Sequence, residues 1–98
     1  MNQQQMMRLR KLQKQMEEAQ AKLEATVFKG TAGGGVVTVE VKGNHEVVSV
    51  TIDPEAAKDD IEMVQDMIVI ALNDAIKKIE AESSKIMGGF GGGLGFGF

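Results

Sequence analysis

The sequence predicts an α+β fold in which a long N-terminal helix precedes a three-stranded antiparallel meander and a long C-terminal helix. In residues 36–42 and 46–52, apolar and polar side chains alternate, which is the two-residue period of a β-strand. A turn at Gly43 and Asn44 separates these two segments. The regions on either side are long and rich in helix-forming residues. Because one face of the hairpin is apolar, the helices or a second copy of the chain must cover it.

Composition points to one small domain that gains from a partner. The chain has 98 residues, 43% of them hydrophobic, and no cysteine, so disulfides and thiolate chemistry are excluded. A chain of this length buries only about two-thirds of its unfolded surface. We expect a domain over residues 1–87, divided into a helix (1–25), a sheet (26–53) and a helical part (54–87). No signal-like start or membrane-length apolar run is found, which predicts a soluble cytoplasmic protein without a membrane partner.

Residues 3–25 contain neither glycine nor proline and predict the first helix. Apolar side chains recur at intervals of three and four residues, which makes a narrow stripe of the coiled-coil kind. The stripe consists of Leu9, Leu12, Met16, Ala19 and Leu23. Such a stripe is too narrow for a helix that is buried on several sides, so we expect the helix to project from the body.

Charge is distributed unevenly along the chain. Residues 1–22 carry five cations and two carboxylates, a net +3, whereas the remainder carries six cations and twelve carboxylates, a net −6. A basic helix on an acidic body indicates a polyanionic partner. The candidate DNA-binding residues are Arg8, Arg10, Lys11, Lys14 and Lys22. On a regular helix, Arg10 and Lys14 share one strip and Arg8 and Lys11 another.

A third strand is expected in residues 24–29, so that the strand at 36–42 lies in the middle of the sheet. The six residues 30–35 include four glycines and are expected to break regular structure. Val48, Val50 and Ile52 are expected to share the apolar face of the last strand.

After Asp53 and Pro54, the pattern predicts a second long helix over residues 61–86, with Asp59 or Asp60 as its N-cap. One apolar face is formed by Ile61, Val64, Ile68, Ala71, Leu72, Ala75 and Ile79. Since further apolar residues lie outside that face, we expect a symmetric homodimer, with interface residues Met63, Met67, Ile70 and Leu72. Residues 88–98 contain only Gly, Phe, and Leu and are expected to be a disordered tail.

No catalytic, metal or cofactor site is indicated. The glycine-rich stretch lacks the lysine of a phosphate-binding loop and leads into a strand rather than a helix. His45 is the only histidine and lacks convergent partners. Asp53, Asp59 and Asp60 are better explained as helix caps than as a cation site. We therefore expect neither an enzyme nor a small-molecule substrate.

Several motifs follow one another along nearly the whole chain: GTAGGG at 30–35, VVTV at 36–39, GN at 43–44, VTIDP at 50–54, DD at 59–60 and LNDA at 72–75. Together with the basic first helix, they resemble the YbaB/EbfC family of bacterial nucleoid-associated proteins. The resemblance implies a tweezer-like homodimer with protruding N-terminal helices. It also implies binding of double-stranded DNA, a nucleoid location, and a role in chromosome organisation and gene expression.

Two functional hypotheses remain. In the first, the basic helices contact DNA phosphates and read sequence only weakly. In the second, the protein is an interaction module whose N-terminal apolar stripe docks a partner's helix. Affinity for duplex DNA that falls with salt favours the first hypothesis.

Overall fold

The computed structural model describes residues 2–91 of the chain, with side chains up to residue 89. The elements are helix α1 (Gln3–Ala25), strands β1 (Val27–Ala32), β2 (Val37–Lys42) and β3 (Val47–Ile52), and helices α2 (Pro54–Asp59) and α3 (Ile61–Gly91). A single 3-10 turn, Gly33–Gly35, links β1 to β2. This order confirms the predicted α-β-β-β-α fold. It also adds α2, a short helix that the sequence did not resolve from α3.

Helix α1 has the bounds expected from composition, and side chains cap both of its ends. Asn2 Oδ1 accepts a hydrogen bond from the backbone N–H of Gln5 at 2.8 Å. At the other end, the hydroxyl of Thr26 donates to the carbonyl of Lys22 at 2.6 Å. Both bonds satisfy backbone groups that a helix leaves unpaired at its termini. The 23 residues make a rod about 34 Å long at 1.5 Å per residue.

The sheet has the order β1-β2-β3 with both pairs antiparallel, so the central position predicted for β2 is confirmed. The expectation that residues 30–35 lack regular structure is wrong for the first three, which belong to β1. Gly30 allows β1 to pack closely against α3, since a Cβ at this position would collide with the Ala71 carbonyl of that helix. Among the described glycines, positive φ is found at the three of the turn, Gly33–Gly35.

Helix α3 lies across β1 and β2 and forms the core with them. Val37, Val39 and Val41 of β2 are buried, as their alternation predicted. They pack with four buried side chains of α3, which are Val64, Ala71, Ala75 and Ile79. Ile61 was expected on the same face but is exposed, because it lies a turn before the first buried residue of the helix.

The inner face of β3 is left open because α3 does not reach it. Val50 pairs with Val39, yet Val50 is 45% exposed while Val39 is 0% exposed. A register shift next to Val41 places Val47 opposite that residue. Val48 lies between the pairs Glu40–Ser49 and Val41–Val47 and has no partner of its own on β2, which marks a β-bulge.

Each of the two C-terminal helices begins at an aspartate cap. Asp53 Oδ1 accepts from Glu55 N at 3.0 Å and Asp60 Oδ1 from Met63 N at 3.1 Å. Asp60 rather than Asp59 is thus the cap of α3. This helix continues to Gly91, beyond the expected end at residue 86, so residues 88–91 of the expected tail are helical. The rest of that tail lies outside the described residues.

Candidate nucleic-acid interface

The N-terminal half of α1 stands clear of the rest of the molecule. Its other end packs on the body, where Leu23 is buried and its carbonyl lies so close to Gly43 that any Cβ there would collide with it. Every described residue before Leu12 is exposed. We call α1 the arm, because it is anchored at one end only.

The apolar stripe of the arm is covered gradually along its length. Leu23 is 4% exposed, whereas Leu9, near the tip, is 51% exposed. Met16, midway between them, is also exposed. The stripe therefore anchors the arm at its base and has no cover at its tip within the described part of the chain.

All five candidate DNA-binding side chains lie on the arm and all are exposed. Since a helix turns by about 100° per residue, Arg8, Lys11 and Lys22 fall on one flank of the arm, which we call the basic flank. Arg10 lies on the opposite flank, and Lys14 lies between the two on the outer surface. The five cations therefore surround the outer half of the helix and do not form one patch.

The positive charge of the arm is not neutralised locally. Within residues 2–89, the ion pairs shorter than 4.0 Å are Lys42 with Glu46 and Lys78 with Asp74, and neither involves the arm. The first carboxylate along the chain is that of Glu17, about 4.5 Å further along the helix axis than Lys14. The tip thus presents a cationic surface to solvent.

The flank opposite the basic flank has the reverse character. It carries Gln13, Glu17, Gln20 and Glu24, and it forms one wall of an open groove of about 460 Å³. Met16 and Ala21 of the arm, with Ile86 and Met87 at the end of α3, supply the apolar lining. This groove was not predicted, because nothing in the sequence indicates that the end of α3 lies beside the arm.

A second polar cluster closes the outer edge of β1. Asp74 accepts a hydrogen bond from the N–H of Thr31, and Lys78 Nζ donates to the carbonyl of Lys29 at 2.7 Å. The bond from Thr31, followed by the charge of Lys78, lowers the pKa of Asp74 below its ordinary value despite some opposing desolvation. The cluster therefore stabilises an edge strand, and it offers no groups arranged for catalysis.

The predicted interface residues lie on two different sides of α3. Met63 and Ile70 are exposed, and Met67 is half-buried against the loop at Gly33. These three lie on the side facing β1, with Asp74 and Lys78. Leu72 is two residues, or about 200°, from Asp74 and therefore lies on the other side, towards β3.

We use the name open face for the apolar surface on the β3 side of the molecule. It combines the uncovered inner face of β3 with the adjacent side of α3. Val47, Val50 and Val69 are exposed there and Leu72 is half-buried.

Among residues 2–91, no three histidine, cysteine or acidic side chains lie close enough to hold a metal ion. His45 occupies the turn between β2 and β3 at a φ of 72°. Asp53 and Asp60 serve as helix caps, as expected. The described helices include none with the length and hydropathy needed to cross a bilayer.

Comparison with known proteins gives one consistent result. A model of the YbaB/EbfC DNA-binding family matches residues 1–94. A nucleoid-associated protein of Streptococcus thermophilus is 47% identical over 98 residues, which cover 98% of this chain and 99% of the relative. One from Chloroflexus aurantiacus is 45% identical over 96 residues, covering 96% of each.

A solved structure supports the fold independently. The crystal structure of an uncharacterized protein from Helicobacter pylori superposes with a TM-score of 0.71 at 29% identity. The match covers 88% of this chain and 92% of that one.

Proposed function

Because this chain belongs to the YbaB/EbfC DNA-binding family, we propose that it is a nucleoid-associated protein that binds double-stranded DNA as a homodimer through its arms. Its family is a DNA-binding one, so the chain is not an enzyme. The observation that carries the proposal is the exposed arm, whose tip has four cations and no carboxylate before Glu17. In an acidic protein of net charge −3, a local excess of this kind attracts a polyanion.

Phosphates are the groups that the arm contacts. Arg8 and Lys22 are separated by fourteen positions, so the basic flank extends about 21 Å along the helix. This length runs past roughly six base pairs of duplex, at 3.4 Å per step. Two copies that use all five cations each would neutralise about ten phosphates and give a log-log salt slope of about −9.

Sequence selectivity is weak under this proposal. Arginine and glutamine suit base-edge recognition. The glutamines of the arm, such as Gln13, are exposed on several sides of the helix and do not form one surface that could read bases. Phosphate contacts fix position without reading sequence. Discrimination between duplexes then comes mainly from DNA shape.

The open face supports the proposed homodimer. A monomer that exposes contiguous valine and leucine surface beside an unpaired sheet edge gains from covering it. We propose that a second copy covers the open face across a two-fold axis, with Leu72 in the interface. Met63, Met67 and Ile70, on the other side of α3, form the second part of the proposed interface. The dimer presents two arms, which doubles the number of phosphate contacts.

A location at the nucleoid and a role in chromosome organisation and gene expression belong to the same proposal. They are supported by the relatives named nucleoid-associated proteins. A protein with many phosphate contacts and little base readout occupies many sites along a chromosome, which suits such a role.

A salt titration of duplex binding tests the proposal. Arg8→Ala with Lys11→Ala removes two cations per copy while keeping helix propensity. We expect weaker binding to all duplexes and a log-log slope that is shallower by roughly 3 to 4. The matched control is Lys58→Ala with Lys77→Ala, which removes the same charge from exposed positions outside the arm. A slope that is nearly flat for the unmodified protein rejects phosphate neutralisation as the source of affinity.

A second candidate function is favoured by the exposure of Leu9 and Met16 on the apolar stripe. An uncovered stripe of this kind can dock a partner's amphipathic helix. Capture of a protein partner that resists nuclease treatment, together with no DNA affinity at low salt, selects this function over the first.

A further inference from the structure

We propose that the arm has two working flanks: the basic flank contacts DNA, and the opposite flank pairs antiparallel with the same flank of an arm from another dimer. Two DNA-bound dimers that pair in this way hold two duplexes together. The arm pairing stands on the geometry of α1 and α3, whereas the joining of duplexes rests on the proposed function.

The groove between the arm and the end of α3 is the starting point. Its lining is apolar, with Ile86 and Met87 opposite Met16, and its polar wall carries carboxylates and amides without a cation. Glu17 and Glu24 would repel a DNA phosphate. The occupant of this groove must therefore be apolar on one side and cationic.

The tip of the arm meets both requirements. Met6 and Leu9 are exposed, and the cations Arg10 and Lys14 follow Leu9 within two turns of the helix. The tip cannot enter the groove of its own chain, because α1 is one continuous helix from Gln3 to Ala25. A second copy supplies it instead.

Residue spacing makes the contact reciprocal. The flank that faces the groove carries side chains at intervals of four and three residues: Met6, Arg10, Gln13, Glu17, Gln20 and Glu24. Its charge is positive near the N-terminus and negative near the C-terminus. Two such flanks laid antiparallel therefore bring each tip against the carboxylates of the other arm.

The two contacts form together. The tip is centred near residue 9 and the groove near residue 19, about 15 Å apart along one straight helix. Antiparallel arms place each tip in the groove of the other arm, so one arm contact is two-fold symmetric, and the assembly closes at two dimers because both arms of one dimer engage both arms of the other. The basic flank, with Arg8 and Lys11, stays on the far side and is free to bind DNA.

The test uses purified full-length protein and measures its mass in solution without DNA. We expect the mass to double between 0.5 M and 0.05 M salt, because lower ionic strength strengthens the attraction between partly exposed charges. Glu17→Lys with Glu24→Lys should abolish the doubling. The matched control, Glu18→Lys with Glu55→Lys, changes the charge equally at exposed positions outside the groove and should retain it.

Mixing two variants gives the sharpest outcome. Arg10→Glu with Lys14→Glu makes the tip acidic, so this variant should not pair with itself. Mixed with Glu17→Lys/Glu24→Lys, each tip meets a groove of opposite charge, and the doubled mass should return. An unmodified protein with the same mass at both salt concentrations, or a mixture that fails to associate, overturns arm pairing.

Joining of duplexes is read separately, by capture of a labelled duplex on beads that carry a second duplex. The unmodified protein should capture it, and Glu17→Lys/Glu24→Lys should bind single duplexes at least as tightly but capture several-fold less. Arm pairing in a protein with no duplex affinity would reject the proposed function and leave the pairing intact. Equal capture by the two proteins overturns the second role of the arm.

Discussion

Oδ2 of Asp74 accepts a hydrogen bond from the backbone N–H of Thr31 at 3.0 Å, so a side chain of α3 closes the outer edge of β1. Lys78, one turn later, binds the carbonyl of Lys29 on the same edge and lies 3.6 Å from Asp74. Unpaired strand edges invite pairing with other chains. With β1 closed in this way, β3 is the edge of the described sheet that remains open, on the side where the open face lies.

The Asp74 contact predicts a pH-dependent stability. Because the folded-state pKa is lowered from 3.8, the carboxylate stabilises the fold at pH values above that ordinary pKa and loses this effect as pH falls through the lower folded value. Urea unfolding of the unmodified protein and of Asp74→Asn should therefore differ most near pH 6 and converge as the pH falls further and further below 3.8. Asp59→Asn, at an exposed position on α2, is the control, and a difference that stays constant with pH would contradict the assignment.

Gly30 should tolerate no side chain. Its Cβ would collide with the Ala71 carbonyl and lie 2.7 Å from the backbone N of Ala75, both of which belong to a buried helix backbone. Gly30→Ala should therefore lower the free energy of unfolding by about 1 to 3 kcal/mol, the usual cost of overpacking. In Gly88→Ala the new methyl meets nothing within 4 Å, so the better helix propensity of alanine should leave stability unchanged or raise it. Equal effects of the two substitutions would argue against close packing at Gly30.

Replacement of His45 by glycine should stabilise the fold. Its φ of 72° is costly for a residue with a Cβ, by about 1 to 2 kcal/mol, and glycine gives back part of this through the greater entropy of the unfolded chain. We expect His45→Gly to raise the free energy of unfolding by about 0.5 to 1 kcal/mol at pH 7. In contrast, Asn44→Gly removes the side-chain acceptor of the Glu46 N–H and should lower the free energy of unfolding. A loss of stability in His45→Gly would show that the imidazole makes a stabilising contact.

Local patterns predicted the elements whose burial is decided by their neighbours in sequence. The alternation of β2 identified Val37, Val39 and Val41 as core because a central strand is covered along its whole length. The composition of α1 was sufficient to predict where the helix begins and ends and that its cations are exposed. Each of these features has a period that a short window of sequence displays.

Features that depend on where distant elements cross were not predictable in the same way. Glycine at position 30 signals flexibility and close packing equally well, and only the path of α3 over β1 decides between them. The bulge at Val48 depends on the pairing of β3 with β2. For the interface residues, periodicity places Met63 and Leu72 on different sides of α3, but it does not reveal which side faces the uncovered strand.

The open face predicts a dimer that a single charge should dissociate. Val50 lies on the inner face of β3, where α3 leaves it 45% exposed, so Val50→Asp costs the isolated protomer little but places a charge inside the proposed interface. We expect the mass in solution, measured at 0.5 M salt, to fall to that of one copy.

Thr51→Asp is the matched control for this substitution. It introduces the same charge in the same strand at an exposed residue that pairs with Thr38 on the outer face of the sheet, and it should leave the dimer intact. Ile70→Asp tests the other side of α3 in the same way. Dissociation by both Val50→Asp and Ile70→Asp would mean that the partner covers both sides of α3. A Val50→Asp variant with the dimer mass would place the interface away from the open face. The second copy would then bind on the side of α3 that carries Met63 and Ile70.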